Sequence, residues 1–112
     1  MKKIEAIIRS SKFEEVKEAL AEVGINFFSF LEVKGYGRQK GKSVVYRGAV
    51  YDSGYIARMK LEIIIPDERE VEVVQSIRNA ARTGEVGDGK IIVTRIEQII
   101  GIRTGNLDNE AL

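Results

Sequence analysis

The sequence contains no cysteine and no histidine. The first absence removes disulfides and thiolate chemistry. The second removes the commonest general base and the commonest transition-metal ligand. A Ser-His-Asp or Cys-His catalyst is therefore excluded. A dominant charge is missing as well: 18 Lys and Arg face 17 Asp and Glu, leaving a net charge of +1 over 112 residues. That balance gives no support for a nucleic-acid or general polyanion binder. No stretch approaches the ~18 apolar residues that a bilayer span requires. The opening Met1-Lys2-Lys3-Ile4-Glu5 is positive, but Glu5 and Arg9 break the apolar run that follows. It does not read as a secretory signal, and the expectation is a soluble cytoplasmic protein.

What the chain does have is apolar content, at 44% of residues, enough for the core of one domain over residues 1–112. Lys2 to Arg9, with Ile4, Ala6, Ile7 and Ile8, reads as a buried strand. Ser11 and Glu14 form a capping-box pattern, and Phe13, Val16, Leu20 and Val23 follow at helical spacing. Gly24 is placed to end that helix as its C′ residue. Ile25 to Lys34 reads as a second strand, buried on both faces, with Phe27, Phe28, Phe30, Leu31 and Val33. No basic-aromatic signature accompanies these rings, so a base-stacking sheet is the weaker reading.

Gly35 to Tyr55 has no sustained periodicity beyond weak β character at Ser43 to Tyr46. Its basic part, with Lys34 just before it, comprises Arg38, Lys40, Lys42 and Arg47. A loop of this length in a small domain is commonly functional. Ile56 to Pro66 then alternates through Met59, Leu61, Ile63 and Ile65 as a third strand. Asp67 and Glu70 repeat the cap pattern, and Val71, Val74, Ile77 and Ala81 predict the apolar face of a second helix. Lys90 to Ile96 is a fourth strand and Gln98 to Arg103 a short fifth.

Between the second helix and the fourth strand lies Thr83-Gly84-Glu85-Val86-Gly87-Asp88-Gly89-Lys90. Glycines let a backbone approach a ligand closely, and successive free N–H groups can form an anion nest. A lysine at the end adds a point charge suited to phosphate. The spacing is neither a Walker A loop nor a Rossmann fingerprint. On its own the segment reads equally well as a glycine-rich turn between helix and strand.

The order is βαβ, long loop, βαβ, the split ferredoxin-like α+β pattern. Two helices cover one face of such an antiparallel sheet. The apolar density on the other face predicts that oligomerisation covers it.

Four segments resemble the PII nitrogen-signalling family over nearly the whole chain. They are Lys2 to Ile8, Glu32-Val33-Lys34-Gly35-Tyr36-Gly37-Arg38-Gln39-Lys40-Gly41, Thr83 to Lys90, and Ile102-Arg103-Thr104-Gly105, with Tyr46-Arg47-Gly48 and Tyr51 in addition. The resemblance implies a ferredoxin-like unit assembled as a homotrimer, with a T-loop over 37–55, a glycine-rich B-loop over 82–90 and a C-terminal segment over 101–112. It implies ATP or ADP in clefts between subunits. The surrounding positions would be Ile7, Ser29, Gly35, Gly37, Arg38, Gln39, Glu62, Thr83, Gly87, Asp88, Gly89, Lys90 and Arg103. It implies Mg²⁺-dependent 2-oxoglutarate sensing, with Gln39 as metal ligand and Gln39, Lys40, Gly41 and Arg58 around the oxo-acid.

The same resemblance implies a regulator and not an enzyme. Its expected partners are an ammonium transporter, a nucleotidylyltransferase or an enzyme of nitrogen metabolism, with no direct nucleic-acid contact. Tyr51 matches a tyrosine that some relatives nucleotidylate, and Arg47 matches a loop arginine that enters a transporter pore. Recruitment to the membrane by such a transporter would follow. Three departures from the family pattern stand out: Gly101 where an arginine is usual, Arg58 where a lysine is usual, and Asp52-Ser53-Gly54-Tyr55 with Phe27-Phe28 in place of the usual loop-to-strand sequence and small residues. They leave an alternative, a divergent PII-like sensor of ADP, AMP or another metabolite with a partner outside nitrogen metabolism.

Overall fold

A computed structural model describes residues 1–36 and 57–112 in full, and residues 43–46, 49–52 and 55–56 by their backbone. Strand β1 (Lys2–Arg9) leads through a 3-10 turn (Ser10–Lys12) into helix α1 (Phe13–Glu22). Then come β2 (Ser29–Tyr36), β3 (Ser43–Tyr46), β4 (Ala49–Asp52) and β5 (Tyr55–Ile65). A second 3-10 turn (Asp67–Arg69) precedes α2 (Glu70–Ala81), and β6 (Gly89–Arg95) completes the main sheet. That sheet has the order β2-β5-β1-β6 with every neighbour antiparallel, while β3 and β4 pair separately. This is the ferredoxin-like α+β arrangement that the element order predicts.

Strand alternation decides which side chains reach the helices. Ile4, Ala6 and Ile8 of β1, with Met59, Leu61, Ile63 and Ile65 of β5, are buried against Val16 and Leu20 of α1 and Val73, Ile77 and Ala81 of α2. Each large aliphatic among them contributes about 1.5–3 kcal/mol of burial free energy. Phe13 and Phe30 pack at 4.8 Å between ring centroids on the flank of this core. The intervening positions face the other way. There Lys3, Glu5, Lys60 and Glu62 form a charge network, with Lys3–Glu5 at 2.8 Å and Lys60–Glu62 at 3.5 Å. Lys3 also reaches Glu62 and Lys60 reaches Glu5.

Several expectations are corrected. Neither capping box forms among the described residues. Each helix is instead entered through a 3-10 turn whose i to i+3 bond takes up an early N–H: Phe13 N–H donates to Ser10 and Glu70 N–H to Asp67. The Asp67 carboxylate accepts the Met1 ammonium at 2.7 Å, which holds its pKa below the ordinary value.

Gly24 does end α1. Its N–H donates to Ala21 and that of Ile25 to Leu20, the Schellman pattern. On α2 the buried face is Val73, Ile77 and Ala81, while Val71 is 71% exposed. The second strand begins at Ser29, and as an edge strand it leaves Phe30 and Leu31 exposed within the single chain, as is Phe27 just before it. Gln98 to Arg103 is not a strand: one isolated bridge joins Ile100 to Leu107. No helix among the described residues is long and apolar enough to cross a membrane.

Candidate functional site

The glycine loop leaves the end of α2 and enters β6, and two of its glycines are required by their surroundings. Gly89 has φ +101, and a Cβ there would stand 1.8 Å from the Ile7 carbonyl oxygen of the paired strand. Gly87 has φ +103, and its Cβ would meet Arg58 Nη2 at 3.1 Å and Arg9 Nη2 at 3.4 Å. The positive φ allows the turn, and the missing side chains allow β1 and two guanidinium groups to approach.

Asp88 gives the loop its shape. Its carboxylate accepts N–H groups from Thr83 and Gly84, each at 2.9 Å, together with the Thr83 hydroxyl. Arg9 Nε adds a further donor at 3.1 Å. The Glu85 N–H is taken by the Thr83 hydroxyl oxygen. The Thr83 hydroxyl first, then the two backbone N–H groups and Arg9, hold the Asp88 pKa far below the carboxylate range. The carboxylate is thus an internal fastener, and the N–H groups of Thr83 and Gly84 are engaged within the loop. Among the described residues, those of Val86 and Gly87 have no protein acceptor.

Beside the loop, on the sheet face away from the helices, a cleft of about 570 Å³ is lined by Ile7, Gly35, Tyr36, Arg58 and Glu85 together with Gly87, Asp88, Gly89 and Lys90. Six expected nucleotide positions therefore meet there: Ile7, Gly35, Gly87, Asp88, Gly89 and Lys90. Arg58, expected at the oxo-acid, joins them. Lys90 and Arg58 form no ion pair among the described residues, so two positive charges stand unmatched at the cleft. A second cleft of about 320 Å³ lies toward the helix side of the loop, with Arg78 and Arg82 at its edge.

The other expected positions are elsewhere. Ser29 pairs with Glu62 across β2 and β5, and Glu62 belongs to the charge network. Arg103 lies in the exposed turn after Gly101, and does not line the cleft. Gly37, Arg38, Gln39, Lys40, Gly41 and Arg47 lie outside the described residues, as does the side chain of Tyr51. No group of acidic residues suited to a metal occurs among the described residues. Sequence reading missed Arg9, which donates to both Asp88 and the Val86 carbonyl. Its only signal is an arginine at the end of an otherwise apolar strand.

Comparison with known proteins agrees with this architecture. The family model described as "Nitrogen regulatory protein P-II" matches residues 1–106. The chain is 50% identical to the nitrogen regulatory protein P-II of Rhizobium meliloti and 51% identical to that of Rhodobacter capsulatus, over the full length of each partner. It is 48% identical to nitrogen regulatory protein P-II 1 of Escherichia coli K12, again over 100% of both chains. With a matching family model over nearly every residue and relatives at about half identity from end to end, the chain belongs to the nitrogen regulatory protein P-II family.

Proposed function

We propose that this protein is a cytoplasmic signal-transduction regulator of nitrogen metabolism, assembled as a homotrimer, that binds ATP or ADP between subunits and controls partners through residues 37–55. The observation that carries this reading is the division of the expected nucleotide positions into two sets. Ile7, Gly35 and Gly87 to Lys90 line one cleft, whereas Ser29, Glu62 and Arg103 do not reach it. A neighbouring copy would bring the second set to the first. The uncovered sheet face, with Leu31 and Ile64 each 47% exposed, supports such packing.

The residues present fit a nucleotide. Two glycines admit close backbone approach, and Lys90 and Arg58 offer unmatched positive charge to phosphate or carboxylate. Mg²⁺ takes oxygen ligands and is commonly held by few protein groups plus phosphates. Gln39 is the residue that would hold it, and the bound metal would supply charge neutralisation between phosphates and oxo-acid. Gln39, Lys40, Gly41 and Arg58 would surround 2-oxoglutarate.

Regulation is favoured over catalysis because Asp88, one of two carboxylates lining the cleft with Glu85, has four hydrogen bonds and a depressed pKa, a poor base at neutral pH. Signalling then amounts to a coupling free energy between the cleft and the 37–55 segment. An ammonium transporter engaged through Arg47, a nucleotidylyltransferase acting on Tyr51, or a nitrogen-metabolism enzyme would be the partner.

Titration calorimetry with ATP, with and without Mg²⁺ and 2-oxoglutarate, tests the reading. Absence of ATP binding sinks the sensor. Absence of synergy removes only the oxo-acid. Gly101 and Arg58 favour the divergent-sensor alternative, which a thermal-shift panel of ATP, ADP and AMP separates, since a ligand stabilises the state it binds.

A further inference from the structure

We propose that Arg9 is the positioning residue of the glycine loop: its guanidinium ties the loop to the end of β1 at two points, and affinity for phosphate-bearing ligands depends on that tie. The proposal rests on the reading of the loop as a phosphate cradle.

Arg9 is the last residue of β1 and lies directly opposite Arg58 of β5. Its Nε donates to Asp88 Oδ1 at 3.1 Å and its Nη2 to the Val86 carbonyl, also at 3.1 Å. These acceptors flank Gly87 on either side. One planar group therefore grips both shoulders of the residue whose φ is +103. The same Asp88 carboxylate holds the N–H groups of Thr83 and Gly84. Arg9 is thus the outer member of a chain of contacts that runs from β1 through Asp88 to the start of the loop.

Charge separates its task from that of its neighbours. The Arg9 cation is matched by Asp88, whereas Arg58 and Lys90 remain unmatched at the cleft. Arg9 accordingly holds the loop, and Lys90 and Arg58 face the ligand. The geometry also requires arginine. Two acceptors on two residues suit the rigid fork of a guanidinium, while an ammonium on a flexible stem holds one acceptor well and forfeits the other.

The test is a double-mutant cycle on the full chain, combining Arg9→Ala with Asp88→Ala and adding Arg9→Lys alone. ATP affinity is measured by calorimetry, melting temperature by circular dichroism, and amide exchange at Thr83 and Gly84 by NMR. Arg9→Ala is expected to weaken ATP about tenfold, as loss of one charge-assisted hydrogen bond would. The melting temperature should hardly move, and exchange at Gly84 should accelerate. The double variant should be little worse than Asp88→Ala, because both act through one chain of contacts. Arg9→Lys should fall between wild type and Arg9→Ala.

Additive losses in the cycle overturn the proposal, as does an ATP loss that merely follows a fallen melting temperature. Wild-type ATP affinity of Arg9→Lys overturns the fork. Should the wild type fail to bind ATP, the cradle reading itself fails. The tie between Arg9 and the loop is then judged by the same cycle in amide exchange. If Arg9→Ala does not fold, the lysine variant carries the comparison.

Discussion

The two faces of the main sheet are built from the same strands and obey opposite rules. On the helix side, Ile4, Ala6 and Ile8 alternate into a core that contains no polar or charged side chain among the described residues. On the other side, Lys3, Glu5, Ile7 and Arg9 from the same strand meet a charge network and the cleft. The covered face carries the apolar core, and the open face carries the Lys3–Glu5–Lys60–Glu62 network and the lining of the cleft. One residue of register separates them, so a slip of that size would exchange core for site.

The sharpest way to break this comparison is in the core. Ile77→Ala leaves a cavity between α2 and the sheet and should cost about 3–4 kcal/mol of unfolding free energy, read by urea denaturation. Gly89→Ala, where the faces meet, forces a Cβ onto the Ile7 carbonyl at positive φ and should cost about 2–3 kcal/mol. Denaturation together with ATP titration would show both stability and binding reduced. Ile64→Asp on the open face should leave the fold of the chain intact and shift the assembled species toward monomer in analytical ultracentrifugation. An unchanged mass would mean that this face is not the interface.

Acid should act on the carboxylates outside the core. Glu5, through Lys3, and Asp88, through Thr83, have lowered pKa values. Their stabilisation is complete above the unfolded carboxylate range, near about pH 4, and is lost as pH falls through the folded values. Loop amides should therefore lose protection before core amides as pH drops below that range, which pH-dependent hydrogen exchange checks. The smallest effect belongs to Lys60→Met. It removes two half-buried ion pairs on the open face and should change the denaturation midpoint only slightly.

The covered face was legible because period-two alternation in Lys2 to Arg9 and in β5 reports burial directly. On α2, Ile77, Ala81 and the partly buried Val74 were placed correctly and Val71 was not, because Val71 and Val73 offer competing helical stripes and only the placement of the helix on the sheet selects Val73. Ile99, Ile100 and Ile102 imitate a strand, yet among the described residues no extended partner lies beside them and a single bridge results. The loop was legible as glycines and a lysine. Its fastening was not, since Arg9 and Asp88 are 79 residues apart in sequence. A distance of that kind leaves no local pattern to read.

The loop closes on its own carboxylate before any ligand arrives. Thr83, Gly84 and Arg9 already converge on Asp88, so an incoming anion has little backbone left to order. On the proposed reading, association of a phosphate-bearing ligand with this loop would carry a low entropic penalty and run at similar rates for related anions. Discrimination among them would then reside in how long each one stays.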